Sequence, residues 1–145
     1  MYYRLEVGAK PDAADPRGAG TLRQIQDYLA LAVDHVWTRD VYSLFVECEP
    51  EDVESAAAAF CNPVVQNGFM GESPPPVEFD WVVVVGYRPG VTDNVARSAR
   101  SALADILKRP LAEAEEVYTS VEYFVAGQAL DRAQVERLAA EVLAN

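Results

Sequence analysis

The sequence predicts an α+β fold built from two similar halves in which strands and helices alternate. Three observations carry the prediction. The stretch Phe79 to Leu107 reads as strand, tight loop and amphipathic helix. Its apolar run Trp81 to Val85 is rich in β-branched residues, which fit a pleated strand. Arg88-Pro89-Gly90 stops that strand, because proline lacks an N–H and glycine reaches backbone angles closed to other residues. The same strand-then-helix order opens the chain at Tyr3. Between the two copies lies Ser73-Pro74-Pro75-Pro76, a stiff connector whose prolines favour polyproline II over helix or strand. The boundaries follow: residues 1–72 form a first half, 73–76 the connector and 77–145 a second half.

In chain order, Tyr3, Leu5 and Val7 alternate with Arg4 and Glu6, the period of a half-buried strand. Asp15-Pro16 is a helix-start signal, a capping carboxylate before a proline at the first helical position. Leu22, Ile25 and Leu29 make the apolar stripe of that helix. Val36 to Cys48 is extended chain with Val41, Leu44 and Val46 as core candidates, and Arg39-Asp40 marks a junction of two strands or a bend. Pro50 to Phe60 is a second helix, and Pro63-Val64-Val65-Gln66 reads as a closing strand. In the second half, Thr92, Asp93 and Asn94 are side chains able to cap a helix. Val95, Ala99, Ala102, Leu103, Ile106 and Leu107 then share one helical face. Val117 to Val125 is extended, and Asp131 to Leu143 is a helix with Val135, Leu138, Ala139 and Val142 as its apolar side.

The halves align. Val7-Gly8-Ala9-Lys10-Pro11 matches Val85-Gly86-Tyr87-Arg88-Pro89, and Asp15 then falls on Asp93 without a gap. Val36-Trp37-Thr38 matches Val117-Tyr118-Thr119, Tyr42 falls on Tyr123, and Phe60-Cys61-Asn62 lies on Leu143-Ala144-Asn145. A β-α-β-β-α-β order within each half is the ferredoxin-like arrangement, with both helices on one face of an antiparallel sheet. One such half has a bare sheet face, and two copies packed as an intrachain pseudo-dimer would cover each other. Because Asn62 aligns with Asn145, the second half lacks a counterpart of the closing strand, so a continuation of the chain or a strand from a partner is expected to fill that place.

Composition narrows the partners. Twelve Lys and Arg stand against 23 Asp and Glu, a formal net charge of −11. A nucleic-acid backbone or anionic membrane would be repelled by that charge. No apolar run approaches the roughly 18 residues of a membrane span, and MYYRLEVGAK lacks the basic and apolar regions of a signal peptide. Cys48 and Cys61 stand in no metal or redox spacing. These features predict a cytoplasmic protein with two free thiols packed as small hydrophobes.

Few residues suggest chemistry. His35 is the only histidine and has no nucleophile or orienting acid in a recognisable motif beside it. Glu113, Glu115 and Glu116 lack the spacing of a calcium loop and read as a solvated loop. Arg97 and Arg100 fall on the exposed side of the third helix, where they could meet an acidic partner. The loop Arg88-Pro89-Gly90-Val91-Thr92-Asp93-Asn94 places free N–H groups and an arginine at a helix start, where anions bind. Asp93 brings a negative charge to the same place, which favours a local cap.

Six segments together resemble a known family: DPRGAG, VWTRDVYSL, FCNPVVQ, FDWVVVVGYRPGVTDNVARSAR, VYTSVEYFV and LDRAQVERLA. They look like the N-terminal region of the large form of phosphoribosylformylglycinamidine synthase, with Gly86 to Arg97 the most specific block. Each half is also similar to PurS, the small separate subunit of the multi-subunit enzyme. The resemblance implies tandem PurS-like units, the second without its last strand, acting as a non-catalytic scaffold that joins synthetase and glutaminase parts in purine biosynthesis. ATP and magnesium are implied only for the partner synthetase domain, and no cofactor, metal or catalytic residue for this chain. Arg88, Pro89, Gly90, Thr92, Asp93, Asn94 and Arg97 are the expected partner interface, and association of the chain with itself is a further possibility. The competing reading is a regulatory domain that binds a small ligand between two ferredoxin-like halves.

Overall fold

Local signals place most of the elements in the computed structural model, which describes residues 1–87 and 92–144. Strand β1 is Tyr2–Ala9, helix α1 is Pro16–Gln24 running into a π-helical turn Ile25–Leu29, and β2 is His35–Phe45. Helix α2 (Pro50–Phe60) and the short β3 (Gln66–Met70) complete the first half. The second half holds β4 (Trp81–Gly86), α3 (Asn94–Leu107), β5 (Glu116–Ala126) and α4 (Arg132–Leu138), which ends in a π-helical turn Ala139–Leu143.

The strands form one open antiparallel sheet in the order β3-β1-β2-β5-β4. An α+β protein with a five-stranded antiparallel sheet and four helices is therefore observed, an arrangement compatible with ferredoxin-like folds. The alternation of the strands settles which face the helices cover. Leu5, Val7, Tyr42, Leu44 and Val117 pack with Val53, Ala56, Ala96, Ala99 and Leu103 beneath α2 and α3. Val36, Tyr123 and Val125 pack with Ile25, Val135, Leu138 and Leu143 beneath α1 and α4. Each core cluster thus takes one helix from each half, which makes the two halves depend on one another for burial.

Two expectations change here. The halves meet edge to edge, through eleven paired residues from His35↔Ala126 to Phe45↔Glu116, and not sheet face on sheet face. And β2 passes through Arg39-Asp40 without a junction or bend, because both residues stay in register with β1 and β5. The first half therefore runs β-α-β-α-β with one long central strand, not β-α-β-β-α-β, and Arg39 is buried by partners on neighbouring strands.

The pairing registers repeat. Val7 pairs with Asp40 and Gly8 with Arg39; their aligned counterparts Val85 and Gly86 pair with Val121 and Ser120. Across the central pair, Thr38 faces Tyr123 while Tyr42 faces Thr119, a reciprocal contact of the kind made by a two-fold interface. The helix starts repeat too. Asp15 caps α1 through the Gly18 N–H, and Asp93 caps α3 through the Ala96 N–H. Glu49 and Asp131 both head capping boxes, at α2 and α4.

Smaller differences have local causes. The exposed Val64 and Val65 precede the closing strand, which begins at Gln66, since Pro63 opens a turn there. Val95 is exposed, and Ala96 takes its place in the buried stripe of α3. Val82 and Val84 lie in β4 as expected, but they point away from the helices. Cys48 and Cys61 are free and half-buried.

Candidate functional site

The loop that the sequence singles out leads into α3. Arg88, Pro89 and Gly90 lie outside the described residues. Thr92, Asn94 and Arg97 are exposed, and Asp93 is half-buried between them. Both oxygens of Asp93 are engaged: Oδ1 accepts from the Ala96 N–H at 2.9 Å, and Oδ2 accepts from the Thr119 N–H at 3.2 Å and hydroxyl at 2.7 Å. The carboxylate is a cap that also ties α3 to β5.

The first half repeats the device with one addition. Asp15 Oδ2 accepts from the Thr38 N–H at 2.6 Å, and the Thr38 hydroxyl lies 3.0 Å from the same oxygen. Arg17 donates to that hydroxyl through Nε at 3.0 Å and pairs with Asp40 at 3.0 Å. The position of Arg17 is Val95 in the second half, so the two helix starts differ in charge.

A cluster absent from the sequence reading occupies the sheet face opposite the helices. Arg4 lies 2.9 Å from Glu6 and 2.8 Å from Glu122; Arg39 lies 3.1 Å from Glu6 and 2.9 Å from Glu122. Glu6 is only 1% exposed. Two guanidinium groups thus neutralise two carboxylates, with Glu6 and Arg39 buried and Arg4 and Glu122 partly exposed, and the pairing is what burial of charge requires. The connector closes over them: the Ser73 N–H and hydroxyl donate to Glu6 at 2.9 and 3.0 Å, and Arg39 donates to the Ser73 carbonyl at 2.7 Å. The Arg39 guanidinium also sits 4.8 Å from the centre of the Phe124 ring. In sequence these charges occupy alternate strand positions and look solvent-facing; only the register across three strands brings them together.

Other side chains with chemical potential are engaged in structure. Glu115 is not a solvated loop residue. It accepts from Arg109 at 2.8 Å, the Ala112 N–H at 2.8 Å and the Glu47 N–H at 2.8 Å. The Arg109 hydrogen bond, followed by the Ala112 N–H, lowers its pKa to about 2. Arg100 donates to the Glu115 carbonyl instead of lying free in solvent. Burial, followed by the charge of Asp40, pushes the Tyr42 hydroxyl up to about 12. Burial, followed by Asp52, pushes the Cys48 thiol up, away from the reactive thiolate. His35 is exposed at the start of β2. Among the described residues no group of three or more His, Cys, Asp or Glu could hold a metal ion, and no helix is long and apolar enough to cross a membrane.

A cavity of about 130 Å³ lies between the sheet and the connector, bordered by Gly8, Trp37, Arg39, Phe69, Pro74 and Pro76. No protein-family model matches the chain, and no curated protein shows significant similarity to it.

Proposed function

We propose that the chain is a non-catalytic assembly module of two tandem PurS-like units, serving phosphoribosylformylglycinamidine synthase by joining its synthetase and glutaminase parts. The observation that carries the modular reading is the repeat in three dimensions. The aligned pairs Val7–Val85 and Gly8–Gly86 keep equivalent partners, and two aligned Asp–Thr pairs cap equivalent helices. A duplicated unit joined through β2 and β5 amounts to a two-fold dimer made in one chain. The synthase assignment rests on the motif resemblance, of which Gly86 to Arg97 is the most specific part. The titratable groups favour a structural role, since Glu6, Arg39, Glu115 and Glu122 spend their hydrogen bonds on neighbouring strands and loops.

A small-ligand regulatory domain is the second reading, and the cavity beneath the connector is its support. That cavity is well below the roughly 300–1,000 Å³ of most small-molecule sites, and a depression of about 560 Å³ between Tyr28 and Arg137, on helices of the two halves, is open to solvent; the assembly reading is preferred on the repeat and the motif resemblance. Mixing the chain with the synthetase and glutaminase proteins of such an enzyme, and following sedimentation, tests the proposal. A stoichiometric complex is expected, weakened by Arg97→Glu, which reverses an exposed charge in the first turn of α3. Absence of any complex, together with stabilisation by an amino acid or nucleotide, would favour the ligand reading instead.

A further inference from the structure

The connector encloses a space that the fold itself does not fill. Directly paired residues of antiparallel strands share a sheet face, so Asn67 and Phe69 of β3 stand on the same side as Gly8 and Glu6 of β1. Trp37 reaches this side from β2. Its ring lies so close to Gly8 that a Cβ there would come within 2.9 Å of Cη2. Ser73 pins the connector over these residues through Glu6 and Arg39, with Pro74 and Pro76 as a roof. The space of about 130 Å³ between floor and roof is thus bounded by the first half and its connector alone.

Two polar groups border this space without partners among the described residues. Trp37 is 7% exposed, and its indole N–H meets no acceptor there. That N–H is not sealed off, since every fully enclosed side-chain nitrogen or oxygen among the described residues has a partner. It opens onto accessible space, and the cavity is the space that Trp37 borders. The side-chain amide of half-buried Asn67 is likewise unbonded. Buried tryptophan N–H groups ordinarily find an acceptor, so an unbonded one at a cavity wall offers a donor to a ligand atom. The charges nearby close on one another instead: Glu6 lies 3.1 Å from Arg39 and accepts both Ser73 donors.

We propose that this cavity binds one small neutral aromatic ring carrying a hydrogen-bond acceptor, a ligand of the pyridine class. Size sets the first limit. An apolar cavity of about 150 Å³ admits a benzene-sized guest, so a single ring fits here and a substituted fused ring system does not. Chemistry sets the others. Trp37, Phe69, Pro74 and Pro76 supply flat apolar walls for a ring. The Trp37 N–H calls for an acceptor on that ring, and the Asn67 amide can meet a second polar atom. A charged ligand is disfavoured, because Glu6 and Arg39 already neutralise each other and a further ion would lie unpaired. A ring held between β1 and the connector ties roof to floor, so binding secures the connector across the sheet. The site lies within one half and its connector, so it neither needs nor excludes the assembly role.

Titration of the full isotope-labelled chain with pyridine at neutral pH, followed by NMR through the indole N–H resonances of Trp37 and Trp81, tests the site. Trp37→Phe assigns the two resonances. The Trp37 resonance is expected to shift saturably while Trp81 stays in place, and exchange of the Ser73 amide hydrogen should slow. Benzene, which has no acceptor, should bind about three- to tenfold more weakly, and benzoate should not bind. Asn67→Phe fills the space from an edge strand and should abolish the Trp37 shift in a chain that still melts cooperatively. No saturable shift of Trp37 in the unaltered chain, the result that a merely water-filled cavity gives, would overturn the proposal. A shift that survives in folded Asn67→Phe would overturn it too, as would benzene or benzoate binding as tightly as pyridine. These readouts involve no synthase protein, so the cavity and the assembly role can fail separately.

Discussion

The duplicated Asp–Thr cap supplies an internal comparison of one interaction in two environments. Replacing Asp93 with Ala removes the cap on the Ala96 N–H, a loss of about 0.5–2 kcal/mol. It also frees the Thr119 N–H and hydroxyl, but Thr119 is only half-buried and water can replace the carboxylate. The total expected is about 1–2 kcal/mol. Replacing Asp15 with Ala breaks the same set of bonds around Thr38, which is 2% exposed. A buried donor left without a partner costs about 1–3 kcal/mol beyond the lost cap, so about 2–4 kcal/mol is expected. Urea unfolding at neutral pH measures both, with slopes that should remain unchanged. Asp→Asn at either site keeps a capping oxygen and should cost less than Ala. Equal losses at the two sites, or a greater loss at Asp93, would refute the claim that the exposure of the threonine sets the cost.

Two further changes address the core and the acid side of the stability profile. Leu103, fully buried between α3 and the sheet, should cost about 2–5 kcal/mol when changed to Ala, read as a lower denaturation midpoint. Glu115 has a folded-state pKa of about 2 against an ordinary value of 4.5. Its depressed value means that its contribution is fully present above about pH 4.5 and lost as pH falls toward 2. Glu115→Gln should therefore flatten the stability curve between those values and leave its shape above pH 5 unchanged, which a series of thermal melts would show.

The alternation of extended segments and helices was legible because it rests on local chemistry, whereas the expected pair of strands between the helices of each half is one long strand. β-branched runs, Asp-Pro and Asp-x-x starts and apolar stripes at helical spacing act within a few residues. What was not legible depends on register. Arg39-Asp40 resembles a break until the pairing with Glu6 and Glu122 is known. Glu115 looks solvated until Arg109 and the Glu47 N–H converge on it from outside its own turn. The Asp15 and Asp93 caps could be read from sequence, but their threonine partners lie on strands more than twenty residues away. Val95 misled because the stripe of α3 is centred on the small residues Ala96 and Ala99, which let α3 lie close to α2.

The polar face of the first half and the apolar face of the second place different demands on whatever covers them. On the first copy, positions 4, 6 and 39 are Arg, Glu and Arg, and the chain's own connector covers them. Buried there, they require opposite charges and donors from Ser73, and they receive both. The aligned positions on the second copy are Val82, Val84 and Ser120, which demand no specific donor and leave no charge unpaired when covered. A charged network suits a cover that is always present at fixed geometry, since its loss would strand buried ions. An apolar surface suits a cover that arrives from elsewhere, because it tolerates both exposure and burial and gains by area alone.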